Sequence, residues 1–150
     1  MLRGMETNTQ TNAPTVWPAL RYADAKAAIR FLVDAFGFQE TLVVPGEGEG
    51  EPGAEGKGAR DVVHAELRWP EGGGVMLGST EFTEGVHAEL PAGSASVYVV
   101  TDQPDALFER ATAAGAAVVQ GLRDEDYGSR GFTVRDPEGN YWSFGTYRGV

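Results

Sequence analysis

Few residues in this 150-residue chain are suited to chemistry. There are two histidines and no cysteine, so thiolate nucleophiles, disulfides and Cys-ligated zinc or iron–sulfur centres are excluded. His64 and Glu66 lie in the run Val62-Val63-His64-Ala65-Glu66-Leu67-Arg68. Strand alternation puts His64, Glu66 and Arg68 on one face. A histidine beside a carboxylate can be tuned near neutral pH and pass a proton as an acid-base pair. The same two side chains offer two metal donors, one short of a facial triad. They are equally an ordinary hydrogen-bonded strand pair. The second histidine, His87, stands in a separate irregular stretch. The Gly- and Glu-rich run 46–57 has no GxGxxG context and no lysine at P-loop spacing, so it reads as a surface loop rather than a phosphate cradle.

Composition narrows the partners. Twenty-two acidic residues against 12 basic ones give a formal charge of −10, which repels nucleic acid and anionic lipid when no Lys/Arg cluster offsets it. No apolar run approaches the roughly 18 residues a membrane helix needs, and residues 1–13 lack the apolar core of a signal peptide. The expectation is a cytoplasmic protein with neither nucleic-acid nor membrane partners.

The elements that must position these residues come in a repeat. Residues 16–22 lead to Asp24, a helical pattern and Gly37; residues 96–101 lead to Asp102, a helical pattern and Gly115. Both Asp-to-Gly intervals are 13 residues, and the copies are offset by 78. Each Asp reads as an N-cap and each Gly as a left-handed C-terminal residue. Apolar residues at i, i+3, i+4 (Ala28, Ile29, Leu32, Val33, Phe36, then Leu107, Phe108, Ala111) predict one sheet-facing stripe per helix. Three extended stretches follow each helix: 38–44, 61–69 and 75–78, then 117–120, 130–135 and 141–147. Asp136-Pro137-Glu138-Gly139-Asn140 supplies a turn before the last of them. Each half is therefore βαβββ. The class is α+β: a disordered tail 1–14, a first module 15–79, a linker 80–94 and a second module 95–150. Pairing the halves is expected to put the helices outside and a concave, sheet-lined space between the sheets. The linker is long enough for that pairing within one chain or across a homodimer.

The duplicated βαβββ units, together with Arg130-Gly131-Phe132 before Asp136-Pro137-Glu138-Gly139-Asn140, resemble the glyoxalase/bleomycin-resistance/extradiol-dioxygenase (vicinal oxygen chelate) superfamily over residues 15–147. The metalloenzymes of that family imply four metal ligands. Their places map onto Trp17, Glu66, Ser96 and Ser143, so one ligand in four survives and no metal or other cofactor is expected. Tryptophan cannot ligate, and a neutral hydroxyl is a poor substitute for histidine or carboxylate. The resemblance also implies which faces look into the cavity. It places Trp17, Arg21, His64, Glu66, Arg68, Ser96, Tyr98, Tyr141, Ser143 and Tyr147 there, while Leu20, Tyr22, Val99, Trp142 and Phe144 become core. Arg130 is expected beside the Asp136 turn.

Aromatic faces with a few polar tips suit a flat or amphipathic molecule. The first expectation is thus a metal-free homodimeric protein, closest in type to bleomycin-resistance proteins. It would bind and sequester a toxic small organic molecule such as an antibiotic, without catalysis. The alternative is a lyase, isomerase or dioxygenase with relocated metal ligands or a His64/Glu66 acid-base pair.

Overall fold

A computed structural model describes residues 13–46, 62–82 and 85–150. Most of the expected tail and of the Gly/Glu-rich loop lies outside these residues. The first module runs β1 (Ala19–Tyr22), α1 (Ala25–Phe31, continued by a π-helical turn, Leu32–Phe36), β2 (Gln39–Pro45), β3 (Val62–Arg68) and β4 (Gly74–Ser79). Two 3-10 turns, Thr80–Phe82 and Gly85–Glu89, begin the link. The second module follows with β5 (Ser96–Val100), α2 (Pro104–Ala113), β6 (Ala117–Asp124), β7 (Arg130–Arg135) and β8 (Tyr141–Gly145). Two four-stranded sheets result, ordered β1-β4-β3-β2 and β5-β8-β7-β6. In each, the first strand joins the last in parallel and the other pairs are antiparallel.

This is the expected pair of βαβββ modules, with corrections at element ends. β6 extends four residues past the expected stop, carried by register shifts at Gln120. β8 ends at Gly145, so Tyr147 stands beyond the strand. Asp24 caps α1 as expected, accepting from the Ala27 N–H at 3.2 Å. Asp102 does not cap α2: Gln103 holds that place, and Asp102 instead accepts from Arg148 at 2.7 Å. The cap sits one residue later because Pro104, with its fixed φ, takes the first helical position. Gly37 and Gly115 are left-handed, with φ of 95° and 100°. The first copy thus has one more residue between cap and glycine than the second, and the π turn at Leu32–Phe36 absorbs it.

Alternation sorts both sheets. Leu20, Tyr22, Ala65, Leu67, Val75 and Leu77 are buried on one face of the first sheet, as are Val99, Phe132, Val134, Trp142 and Phe144 on one face of the second. Both sets belong to a single cluster. Phe36, at the end of the α1 segment, lies 5.5 Å from Trp142 and 4.7 Å from Phe144 between ring centroids, and Trp69 lies 5.9 Å from Phe144. Each helix therefore enters the core shared by the modules, rather than flanking a space between the sheets.

Polar contacts lock the modules together. Asp136 is buried at 5% exposure, and its carboxylate accepts from Tyr22 Oη at 2.6 Å, Trp142 Nε1 at 3.0 Å and Asn140 Nδ2 at 3.1 Å. It also accepts from the Glu138 and Asn140 N–H groups. The Glu138 carboxylate accepts from the Ala23 and Asp24 N–H groups, at 2.7 and 2.8 Å, where α1 begins. That is where a negative charge is favoured by unpaired N–H groups and the helix dipole. At the other end of the same helical segment Arg110 of α2 donates to the Asp34 and Val33 carbonyls at 2.9 and 3.1 Å.

Candidate functional site

The site faces are the two sheet faces that stay out of this core. On the first, cross-strand register arranges the side chains in rows. Ala19 pairs with Met76 and Met76 with Glu66, while Arg21 pairs with Gly78 and Arg68 with Gly74. The rings of Trp17 lie over Gly74, where an added Cβ would come within 2.8 Å of them. Trp17 precedes β1, and its Nε1 donates to the Pro14 carbonyl at 3.3 Å. His64 Nε2 and Glu66 Oε2 are 2.9 Å apart, with side chains 38% and 28% exposed. Glu66 is thus engaged by His64, not by Arg21 or Arg68. Arg21 instead donates from Nη1 to the His87 carbonyl at 2.6 Å. The Nε atoms of Arg21 and Arg68 are buried and have no hydrogen-bond partner among the described residues.

A half-open cavity of about 530 Å³ lies on this face. Arg21, His64, Met76 and Gly78 form its floor, and the link from His87 to Ala95 forms a wall. Met76, Leu90 and Pro91 carry no signal in the sequence that marks them as site residues, and His87 is named there without a place in the site. β4 alternates like its neighbours, and Met76 and Gly78 fall on its outward face. The link carried no periodic signal that would place it over a sheet.

On the second module Ser96 pairs with Tyr141, and Tyr98 with Ser143. Ser143 Oγ is 2.7 Å from Thr133 Oγ1, and Tyr98 Oη donates to the Tyr147 carbonyl at 2.7 Å. The rings of Tyr127 and Tyr147 meet edge to face at 5.7 Å. Tyr98, Tyr141 and Tyr147 are 49%, 41% and 44% exposed, so this face is an open aromatic surface. None of these five expected residues lines the first module's cavity. One chain brings Arg21, His64 and Glu66 together but leaves Ser96, Tyr98, Tyr141, Ser143 and Tyr147 on a separate face.

Register also sharpens the metal question. Ser143 pairs with Tyr98 on β5 as Met76 pairs with Ala19 on β1. The first-module counterpart of Ser143 is therefore Met76, and Glu66 stands one strand away on β3, paired with Met76. Trp17 and Ser96 match similarly, each seven residues before its helix cap. The four equivalent positions thus hold an indole, a thioether and two hydroxyls. That donor set does not fit a divalent metal, which takes imidazole, thiolate or carboxylate ligands. Among the described residues no three His, Asp or Glu side chains cluster elsewhere.

Arg130 also differs from expectation. It pairs with Asp105 at 2.8 Å and Asp124 at 3.3 Å, away from the Asp136 turn. The guanidinium hydrogen bonds hold the Asp105 carboxyl below its ordinary range. Burial, and then the Asp136 carboxylate, push the Tyr22 phenol above its ordinary value. Both groups serve the scaffold rather than the cavity.

Among the described residues no helix is long and apolar enough to cross a membrane. The profile of the Glyoxalase/Bleomycin resistance protein/Dioxygenase superfamily matches residues 15–144. The uncharacterized protein Rv0887c of Mycobacterium tuberculosis is 35% identical over 140 residues, covering 88% of this chain and 74% of that protein. The crystal structure of TioX from Micromonospora sp. ML1 superposes with a TM-score of 0.68 at 33% identity, over 89% of this chain and 99% of that one. A glyoxalase/bleomycin resistance protein/dioxygenase family enzyme from Burkholderia phytofirmans shares the fold alone, with a TM-score of 0.62 at 18% identity over 89% and 98% of the two chains. With its duplicated βαβββ modules and matched turn, the chain belongs to the glyoxalase/bleomycin resistance/dioxygenase superfamily.

Proposed function

We propose that the protein is a metal-free, non-catalytic binder that sequesters a toxic aromatic or amphipathic small molecule in the cytoplasm, in the manner of bleomycin-resistance proteins. The observation that carries this reading is the cavity itself. Its volume of about 530 Å³ lies in the range of small-molecule sites. It joins apolar walls to a few polar groups, beside ligand positions whose side chains suit packing better than metal binding. A thermal-shift screen of aromatic antibiotics, followed by quenching of tryptophan fluorescence, tests it. A bound compound should be recovered chemically unchanged. Recovery of a converted product would favour the second reading, an enzyme using the 2.9 Å His64–Glu66 contact as its acid-base pair.

The working unit in this proposal is a homodimer. The second module's tyrosine face is open, and the first module's cavity is half-open, so a second copy can complete each site. Trp17→Ala and Tyr141→Ala chains should each bind poorly. Mixed dimers should regain one intact site, because both changes fall in the other. Absence of recovery on mixing, with dimers present, would rule out sites shared between subunits.

A further inference from the structure

Both histidines of the chain, together with Arg21, line the cavity, and among the described residues no Asp or Glu does. In a protein with 22 acidic and 12 basic residues, that reverses the average charge of the molecule. Arg21 is the focus. Its Nη1 is held by the His87 carbonyl at 2.6 Å, which fixes the guanidinium in the cavity wall. No carboxylate neutralises it among the described residues. Glu66, the acid on the same sheet face, is taken by His64. A guanidinium stays charged at every accessible pH, and its planar N–H groups match the oxygens of a carboxylate. Met76, Leu90 and Pro91 supply apolar wall within the same cavity.

We infer that the cavity selects an aromatic carboxylic acid. The carboxylate pairs with the Arg21 guanidinium, and the flat apolar part lies against Met76, Leu90 and Pro91. This rests on the small-molecule-binding reading above and adds the charge of the ligand to it.

Titrating the full-length protein at neutral pH and low salt with 2-naphthoate, 2-naphthamide and 2-naphthylmethylammonium, followed by calorimetry, tests the assignment. These probes share one ring system and differ in charge. Naphthoate should bind at least about tenfold more tightly than the amide, in line with a charge-assisted hydrogen bond. Arg21→Gln should abolish that preference. Arg30→Gln removes the same charge from an exposed position on α1 and should keep it. Selectivity among the probes is read in the unmodified protein, so the test stands even if Arg21→Gln folds poorly. Equal or tighter binding of the amide or the amine overturns the assignment while leaving a small-molecule binder in place. Binding by none of the three overturns it as well. Conversion of bound naphthoate removes the sequestering role and leaves the Arg21 contact standing.

Discussion

Replacing Asp136 with alanine should destabilise the protein more than any single surface change. The substitution strands three buried side-chain donors: Tyr22 Oη, Trp142 Nε1 and Asn140 Nδ2, on residues no more than 1% exposed. Each orphaned donor costs about 1–3 kcal/mol. Water entering the vacated volume recovers part of this, so the net loss should be about 3–5 kcal/mol. That is a large share of the roughly 5–15 kcal/mol that holds a domain together. At about 2–4 °C per kcal/mol for a chain of this size, the midpoint should fall by about 6–20 °C. Urea unfolding followed by tryptophan fluorescence measures the loss, and a double-mutant cycle with Tyr22→Phe isolates its cause. In the native background Tyr22→Phe removes one hydrogen bond, worth about 1 kcal/mol. In the Asp136→Ala background it removes a stranded hydroxyl, so it should be neutral or stabilising, giving a coupling of about 1–3 kcal/mol. Equal cost of Tyr22→Phe in both backgrounds would refute the latch between the modules.

Three further outcomes follow from the same contacts. The Tyr22 phenol is raised above its ordinary value, so the folded state holds its proton where the unfolded chain has lost it. Stability from this source is complete below about pH 10 and declines above it; absorbance at 295 nm should show a final phenolate increment on alkaline unfolding, missing in Tyr22→Phe. Arg110→Met should cost about 1–2 kcal/mol by releasing two carbonyls at the end of the first helical segment, seen as faster hydrogen exchange at Gly37 and Phe38. Gly131→Ala should be strongly destabilising in thermal melts, since its Cβ would sit 2.2 Å from the Phe144 carbonyl, whereas Gly121→Ala meets nothing within 4 Å and should stay within about 0.5 kcal/mol.

Much of the architecture was legible because alternation and helix punctuation are local. Leu20, Tyr22, Trp142 and Phe144 fall on the buried faces that period-two reading assigns them. The equal 13-residue intervals misled in one respect. They matched Asp24 to Asp102, although the second cap is Gln103 and the surplus residue sits in the π turn. Spacing alone cannot tell a one-residue shift of cap from a one-residue insertion. The site was half legible. Side-chain direction on β3 and β5 followed from the pattern, but which module faces which is set by long-range packing of Phe36, Phe38 and Trp69 on β8, and no local signal encodes it. The places of His87, Leu90 and Pro91 were illegible for the same reason: an irregular segment takes its position from what it lies against.

The Asp136 turn has a consequence for how the molecule responds to occupancy. Its carboxylates close contacts on β1 and at the start of α1, so neither module can open without breaking bonds that belong to the other. Opening should therefore be a single cooperative event rather than two. A molecule bound against Arg21 stabilises the closed state by mass action, by about 2.7 kcal/mol at a hundredfold excess over its dissociation constant. Amides of β8, in the other module from the strands that floor that cavity, should then gain protection from hydrogen exchange equal to that of β4.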